Sequence, residues 1–280
     1  MSAIRLIPQA VEKPWGRRDL SPCFGSVASD APPVGEIWFE DGGNAARPLL
    51  VKYLFTSERL SIQVHPGREA ARAAGYADGK DEAWLIVKAE EDAEIGLGLR
   101  EGLSRSQLRE AALDGTIVDL LEWRPAAAGD FHYSPAGTVH ALGAGLTLIE
   151  VQQNVDATYR LYDYGRPRAL HLDDAVAVAE LKPFQAVEER KEVGTGRAIL
   201  TEGAAFVVER WTGAVKRHIR TGADLPVWII PVAGGGLVDG ETLHAGDVWI
   251  ADEQADVALD DGAEALIAYP NNGGRRDFIL

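Results

Sequence analysis

Most of the chain alternates short apolar runs with turns that are rich in glycine and proline. Runs of this length, wholly apolar or alternating with polar residues, predict the strands of a β-sandwich or barrel rather than βαβ units. The predicted strands span 48–55, 60–65, 83–89, 130–142, 146–153, 205–213, 225–232 and 247–253.

Three segments depart from this pattern and predict helices. Residues 66–75 open with proline and continue with strong helix formers. Residues 104–115 begin with a Ser-x-x-Gln capping box and end at a glycine. Residues 172–181 start with aspartates, which suit the positive end of a helix dipole. The chain is therefore expected to be mainly β with a few helices.

The dipeptide Lys182-Pro183 follows the last predicted helix and indicates a link between two domains, 1–182 and 183–280. Residues 234–253 resemble the region around Gly129 in having a Gly-Asp turn followed by a strand. This weak repeat predicts two barrels of the same type.

Charge and cysteine content narrow the possible partners and location. The chain has 43 acidic and 28 basic residues, a formal net charge of -15, so neither nucleic acid nor an anionic membrane is an expected partner. A small anion would need a local pocket of lysine and arginine. The most apolar window, 225–232, is too short to span a bilayer, and the single cysteine, Cys23, excludes an internal disulfide. With no signal-peptide core at the N-terminus, these features predict a cytoplasmic protein.

Four residues form a candidate metal site. Gln63 and His65 are two apart in a predicted strand and so face the same side, Glu82 begins the next strong strand, and His140 ends a later one. Two imidazoles with a carboxylate and an amide suit zinc, although manganese and iron use similar sets. Either Gln-x-His or a lone histidine is by itself a weak signal, because a histidine in a strand is more often a satisfied core residue.

The second histidine lies in the stronger motif. Gly129, Pro135, Gly137 and His140 fit the spacing Gly-x5-Pro-x-Gly-x2-His, which together with the Gln-Val-His segment and a downstream glutamate resembles the metal site of the cupin superfamily. Longer blocks resemble the short bacterial form of the type I phosphomannose isomerases, in register from about Leu6 to about Leu181. These blocks are KPWG (13–16), GEIW (35–38), LLVKYLFTSERLSIQVHP (49–66), GKDEAW (79–84) and AGTVHALGAGLTLIEVQQNVDATYRLYDYGRPR (136–168).

This resemblance implies two cupin-type jelly-roll barrels, the second without a metal site. It also implies a zinc-dependent interconversion of mannose 6-phosphate and fructose 6-phosphate through a cis-enediol, with a sugar phosphate as the partner. The arginine and lysine that match Arg160 and Lys80 are active-site residues in that family. On their own, Lys80 could be an exposed turn residue and Arg160 the ion-pair partner of Asp156 or Asp163.

Three further residues are candidates. Glu150 stands in an apolar strand, where a carboxylate is either paired with a cation or has a raised pKa that suits acid–base chemistry. Ser61 and Lys52 are candidate substrate contacts, since Ser61 shares the face of Gln63 and Lys52 needs a counter-charge or an anionic ligand. His132 and His171 are interpreted as structural.

Two departures leave the substrate open. Val155 and Ala157 stand where the family usually has serine or threonine, and the chain lacks the helical insertion of the larger eukaryotic forms. The alternatives are another phosphosugar, an iron-dependent cupin oxygenase, or a sugar-binding cupin without turnover. Gln63, where such oxygenases commonly have histidine, weighs against the oxygenase. The oligomeric state is not predicted.

Overall fold

A computed structural model of the chain describes residues 3–42, 47–185, 190–221, 225–271, 273 and 278–280. The first strands in chain order are β1 (Ile4–Arg5), β2 (Ile7–Arg17), β3 (Val34–Glu40), β4 (Leu49–Phe55), β5 (Ile62–Val64), β6 (Glu82–Ala89), β7 (Glu94–Leu99), β8 (Leu121–Pro125), β9 (Phe131–Ser134), β10 (His140–Leu142), β11 (Leu146–Gln153) and β12 (Tyr159–Tyr162). The later strands are β13 (Lys191–Gly194), β14 (Arg197–Glu202), β15 (Phe206–Thr212), β16 (Lys216–Arg220), β17 (Val227–Ala233), β18 (Gly235–Val238), β19 (Glu241–His244), β20 (Trp249–Ala251), β21 (Gln254–Leu259) and β22 (Glu264–Pro270). The helices are α1 (Arg68–Ala73), α2 (Arg105–Asp114), α3 (Ile117–Leu120) and α4 (Leu172–Val178).

These strands pair antiparallel in several sheets, which confirms the expectation of a mainly β fold. One sheet has the order β2-β3-β4-β11-β6-β9 and a second has the order β12-β5-β10-β7-β8. The remaining strands form the sheets β1-β20-β17-β22-β15-β14-β13 and β16-β21-β18-β19. The division into two jelly-roll barrels stays a prediction.

The six-stranded sheet explains why some strands are apolar throughout. β4 and β11 lie in its middle, and every residue of both is buried, because both faces of the central strands are covered. β2 lies at its edge, where the exposed residues of its first half and its two prolines, Pro8 and Pro14, do not interrupt a hydrogen-bond ladder. Polar residues in the central strands, such as Lys52 and Glu150, are consequently buried.

In β5 of the five-stranded sheet, successive side chains alternate between two different environments. Ile62 and Val64 of β5 pack in one apolar cluster with α2 and α4 residues, including Leu108 and Ala175. Because successive side chains in a strand point to opposite faces, the intervening polar residue Gln63 faces away from the helices. The same alternation applies in β10, where Ala141 joins the helix side.

The helices match the predicted positions, with shorter bounds. α2 has both hydrogen bonds of the capping box between Ser104 and Gln107, and Gly115 ends it in the left-handed conformation at φ 86°. The predicted segments 66–75 and 172–181 shorten to α1 and α4. The short helix α3 was not predicted, since four residues carry too little periodicity to detect.

The predicted single strand 130–142 is wrong, because a turn at residues 135–139 divides it into β9 and β10. Gly137 has a φ of +89°, a left-handed conformation that strand residues do not adopt. His140 therefore begins a strand instead of ending one.

The chain divides into two compact units. Unit 1 contains residues 1–9, 38–51 and 187–280, and unit 2 contains residues 10–37 and 52–186. The predicted domain boundary after residue 182 stays a prediction. All of the candidate site residues named above belong to unit 2. In the part of the chain that the structure describes, no helix has the length and apolar character needed to cross a membrane.

Candidate metal centre

Strand register places three of the predicted site residues in one row. In the five-stranded sheet, Gln63 of β5 is paired with His140 of β10 on one side and with Arg160 of β12 on the other. Residues paired across antiparallel strands share a face, so these side chains are neighbours. His65 lies two residues after Gln63 and extends the same face.

A second row faces the first from the six-stranded sheet. Glu82 and Trp84 lie two residues apart in β6 and so face the same side. They are paired with Gln152 and Glu150 of β11, respectively. The Trp84 ring lies 5.2 Å from the imidazole of His140, centroid to centroid. The inner faces of the two sheets thus meet at Glu82, where the sequence brings polar side chains into an otherwise apolar interior.

Glu82 is the centre of this cluster. Its Oε1 lies 3.0 Å from Nε2 of His65 and 2.7 Å from Nζ of Lys80, and its Oε2 lies 3.4 Å from Nε2 of His140. Ligand atoms of His65, Glu82 and His140 all lie within 4.8 Å of one another, and all three residues are buried. Lys80 is buried as well, so the interpretation of it as an exposed turn residue is wrong.

Main-chain carbonyls orient both imidazoles. Nδ1 of His65 lies 2.8 Å from the carbonyl oxygen of Ala157, and Nδ1 of His140 lies 2.9 Å from that of Thr138. A carbonyl oxygen only accepts, so each Nδ1 carries the proton and each Nε2 presents a lone pair to Glu82. Ala157 stands where the family usually has serine or threonine. The contact with His65 uses the main-chain carbonyl of Ala157, so it does not depend on the side chain at this position.

Burial also favours the neutral imidazoles. It lowers the pKa of His65 to about 4, against the opposing effect of Glu82, and it lowers the pKa of His140 as well. Burial alone would raise the pKa of Glu82, but the charge that His65 carries once it is protonated, and the charge of Lys80, hold that pKa well below its usual range. Near pH 7 the cluster therefore contains two neutral imidazoles and a carboxylate, the protonation states that a divalent metal requires.

The buried polar atoms at this position favour the binding of a cation. Nε2 of His65 makes no hydrogen bond within the described residues, although a carboxylate oxygen lies beside it. Two lone-pair nitrogens that converge on a carboxylate have no proton to share, and such an arrangement is unfavourable without a positive charge between them. The donor set of His65, Glu82 and His140 fits a divalent metal.

Gln63 lies beside these three residues. Its Nε2 is 3.3 Å from Nε2 of His140, and its Oε1 accepts a hydrogen bond of 3.3 Å from Oγ of Ser61. A half-turn of the amide would exchange the two atoms, so that Oε1 faces the cluster and Nε2 donates to Ser61. Ser61 is thus a partner of Gln63, and its predicted contact with substrate stays a prediction.

A second buried charge cluster adjoins the first. Nζ of Lys52 lies 3.3 Å from Oε2 of Glu150 and donates to Oε1 of Gln152 at 2.6 Å. Nε1 of Trp84 donates to Oε1 of Glu150 at 3.0 Å. Glu150 thus has a cation partner and a raised pKa, because burial and the charge of Glu82 outweigh Lys52 and Lys80.

Arg160 lies at the edge of the row and is half-buried. Its buried Nε has no hydrogen-bond partner within the described residues. The ion pair with Asp163, considered as an alternative, is not formed: that carboxylate is held by Arg166 and Arg168. Burial and the charge of Arg168 lower the pKa of Arg160. Its backbone N–H donates to Nδ1 of His171, at 3.2 Å, which supports the interpretation of His171 as structural.

Sequence reasoning did not identify Trp84, Gln152 and Asp81 as part of this region. Alternation could have found the first two, since Trp84 shares the face of Glu82 in β6, and Gln152 shares the face of Glu150 in β11. Asp81 lies between two inward-facing residues, so alternation gives no reason to assign it to the site.

The chain is mainly β and has a buried His-Glu-His cluster with converging lone pairs and adjoining lysines. These are the features of a protein that could bind a metal ion in a charged, enclosed site. No family model matches the chain. It is 37% identical over 188 residues to the mannose-6-phosphate isomerase of Streptococcus mutans, covering 64% of this chain and 59% of that relative. It is 34% identical over 251 residues to YvyI of Bacillus subtilis, provisionally assigned as a mannose-6-phosphate isomerase, covering 75% of this chain and 79% of that relative.

The crystal structure of the mannose 6-phosphate isomerase from Bacillus subtilis is also similar. It matches with a TM-score of 0.81 and 28% identity, covering 96% of this chain and 99% of the other. Sequence and structure agree, and the chain belongs to the mannose-6-phosphate isomerase family.

Proposed function

We propose that the chain is a metal-dependent aldose–ketose isomerase that interconverts mannose 6-phosphate and fructose 6-phosphate. Family membership supports the reaction class. The observation that carries the proposal is the convergence of two imidazole lone pairs and the lysine Lys80 on the buried carboxylate of Glu82. Purely structural packing does not require this arrangement.

The proposed metal is zinc, held by His65, Glu82 and His140, with Gln63 as the fourth ligand. Zinc accepts nitrogen and oxygen donors in one tetrahedral set. When bound, it would polarise the oxygen atoms of the open-chain sugar. A neutral amide in place of another charged ligand leaves more positive charge on the ion, and Ser61 can stabilise the required amide orientation.

The reaction moves a proton between C2 and C1 of the sugar through a cis-enediol, so it needs an acid–base group and stabilisation of the developing oxyanion. Glu150 is suited to the first role because burial and the charge of Glu82 raise its pKa above that of an ordinary carboxyl group. Burial would lower the pKa of Lys80, but Glu82 and Glu150 raise it. Lys80 therefore stays protonated and can donate to an oxygen that gains negative charge.

Arg160 is the proposed anion contact. Its guanidinium lacks a carboxylate partner within the described residues, and its strand register places it beside Gln63. In a protein with a net charge of -15, an arginine without an ion pair is a suitable local site for a phosphate or an enediolate. The guanidinium can bind either anion through two parallel hydrogen bonds. Lys52 is the second proposed contact, although Glu150 and Gln152 already bind it.

A coupled assay for fructose 6-phosphate formed from mannose 6-phosphate tests the activity directly. Metal-replete protein should turn over, a chelator should abolish the turnover, and added zinc should restore it. Absence of activity in protein that contains one metal ion per chain would contradict the isomerase assignment and favour a sugar-binding protein without turnover. Iron in place of zinc by elemental analysis would favour the oxygenase alternative.

Arg160→Ala separates anion binding from metal binding. We expect kcat/KM to fall by about 10²- to 10³-fold, the range for removal of a charged donor from a transition state, while the metal content stays at the wild-type level. Arg109→Ala is the matched control, since Arg109 lies in the same unit but pairs with Asp173 at the surface. Full turnover in Arg160→Ala would show that the proposed role of this arginine is wrong.

A further inference from the structure

Asp81 separates Lys80 from Glu82, but its own carboxylate binds a different segment of the chain. Oδ1 accepts a hydrogen bond of 2.9 Å from the backbone N–H of Ala136, and Oδ2 accepts a short one from the hydroxyl of Tyr133. Asp81 is only 8% exposed. Within the described residues, no ion pair involves this carboxylate. Its side-chain partners are one N–H of the turn that precedes His140 and the Tyr133 hydroxyl of β9, the strand before that turn.

This turn joins three segments that carry the metal-binding residues. The N–H of Gly137 donates to the carbonyl of His65 at 2.8 Å, which ties the turn to the end of β5. The N–H of Lys80 donates to the carbonyl of Pro66 at 3.1 Å, which ties the start of β6 to the same end of β5. The hydrogen bond from Ala136 to Asp81 is the third contact and joins the turn to the start of β6. Of the three contacts, it is the one that involves a side chain.

We propose that Asp81 is a positioning residue of the metal centre. Its carboxylate fixes the turn at 135–137 against the strand that carries Glu82, and thereby fixes the distance between Glu82 and His140. The inference rests on the metal centre of the proposed function, and it adds a residue that does not itself touch the metal.

The two donors at this contact favour a carboxylate. Two donors, one N–H and one O–H, approach the two oxygens of Asp81. An asparagine has one acceptor oxygen and one NH2 group, so with its oxygen kept for the N–H of Ala136 the Tyr133 hydroxyl would have to accept from the amide instead of donating to a carboxylate. The contact between the turn and the start of β6 would then be weaker, and outer contacts of this kind typically change metal affinity by about 10- to 100-fold.

Two variants of the full-length protein test the proposal. Asp81→Asn removes one of the two acceptor oxygens and the charge, whereas Tyr133→Phe removes a single hydroxyl and leaves the charge in place. The zinc Kd of each variant is measured by competition with a chromophoric chelator, together with its unfolding temperature. We expect the Kd to rise by about 10-fold or more for Asp81→Asn and by a smaller factor, above threefold, for Tyr133→Phe.

Tyr269→Phe is the matched control. Its hydroxyl also donates to a buried carboxylate, that of Glu209 in unit 1, at 2.9 Å. If Asp81 acts by positioning, Tyr269→Phe lowers the unfolding temperature but leaves the zinc Kd within twofold of wild type. Equal weakening of zinc binding in Tyr269→Phe and Tyr133→Phe would show that the Kd follows general stability, and would overturn the proposal.

The wild-type measurements separate this proposal from the proposed function. A wild-type protein that binds zinc but does not isomerise the sugar phosphate contradicts the isomerase assignment alone, because the Kd comparison still holds. A zinc Kd within twofold of wild type in both Asp81→Asn and Tyr133→Phe contradicts the positioning role alone. A wild-type protein that binds no divalent metal contradicts both.

Discussion

Two buried glutamates show how similar sequences produce different sites. Glu82 in unit 2 and Glu209 in unit 1 each precede a buried tryptophan by two residues, Trp84 and Trp211, and both glutamates are almost inaccessible to solvent. A buried carboxylate needs a compensating positive charge or several hydrogen bonds. The two clusters meet this requirement with different partners.

Glu209 has donors at both oxygens. Arg197 binds it bidentately, with contacts between 2.8 and 3.2 Å, while Nε1 of Trp211 and the hydroxyl of Tyr269 each donate at 2.9 Å. Each of these groups donates its own proton to the carboxylate, and Arg197 supplies the positive charge. The cluster is therefore complete without a ligand, and its role is structural.

Glu82 has a different set of neighbours. Lys80 supplies one donor, but the two histidine nitrogens nearest to the carboxylate are lone-pair atoms, because the other nitrogen of each ring faces a carbonyl. A carboxylate and two acceptors in contact favour an added cation. The comparison shows that the direction of the donors distinguishes a metal site from a structural ion pair, while burial and charge are common to both.

The largest expected effect comes from His140→Ala. Removal of one ligand should eliminate stoichiometric zinc and lower kcat by at least about 10³-fold, which corresponds to the several kcal/mol that a metal contributes to stabilising charge. Elemental analysis and the coupled assay measure the two effects on the same sample. Circular dichroism checks that the variant is folded.

His218→Ala is the control for that variant, because His218 is partly exposed in unit 1 and pairs with Asp256. It should retain zinc and activity. If the His140→Ala protein retained one zinc per chain, the cluster around Glu82 would not differ from the cluster around Glu209 in binding a metal.

The next largest effect is expected from Arg197→Met. This change leaves Glu209 buried without its cation, and breaking a buried pair in this way costs about 3–5 kcal/mol of unfolding free energy. Urea denaturation measures the loss. Zinc content of the folded protein should stay at the wild-type level, because the cluster around Glu209 contains no metal ligand.

Arg190→Met provides the comparison for a surface pair. Arg190 and Glu192 have side chains that are both 64% exposed, so the change should have almost no effect on stability. If Arg197→Met were equally neutral, the burial of Glu209 would not require the charge of Arg197. Glu209 could then not serve as the structural ion pair with which Glu82 is compared.

Local sequence signals predicted the elements of the fold well where one physical rule dominates. The capping box and terminal glycine located α2 within a residue, and the apolar run at 146–153 is β11. The split of 130–142 was missed because the residues on both sides of Gly137 also suit a strand. Sheet order depends on contacts that are distant in sequence, and no local pattern specifies it.

The sequence predicted candidate residues for the site, but not which residues contact each other. Spacing put Gln63 and His65 on one face, and the structure brings both beside Glu82 and His140. The contact of Lys52 with Gln152 and the hydrogen bond from Ala136 to Asp81 join residues 100 and 55 positions apart. Such pairs follow from strand register and the path of a turn, which the amino-acid pattern does not encode directly.

The smallest expected effect concerns how far the metal stabilises the chain. A ligand that binds only the folded protein stabilises it by RT ln(1 + [L]/Kd), about 2.7 kcal/mol when zinc exceeds its Kd by 100-fold. Because the ion would join the ends of β5, β6 and β10, we expect native-state hydrogen exchange to slow most for amides near His65, Glu82 and His140. Local openings, which this method detects, should respond less in β15, because Glu209 in that strand already has Arg197 of β14 as its cation. Protection that is equal in both regions, or that persists in His140→Ala, would mean that zinc acts elsewhere and that the lone pairs around Glu82 have another function.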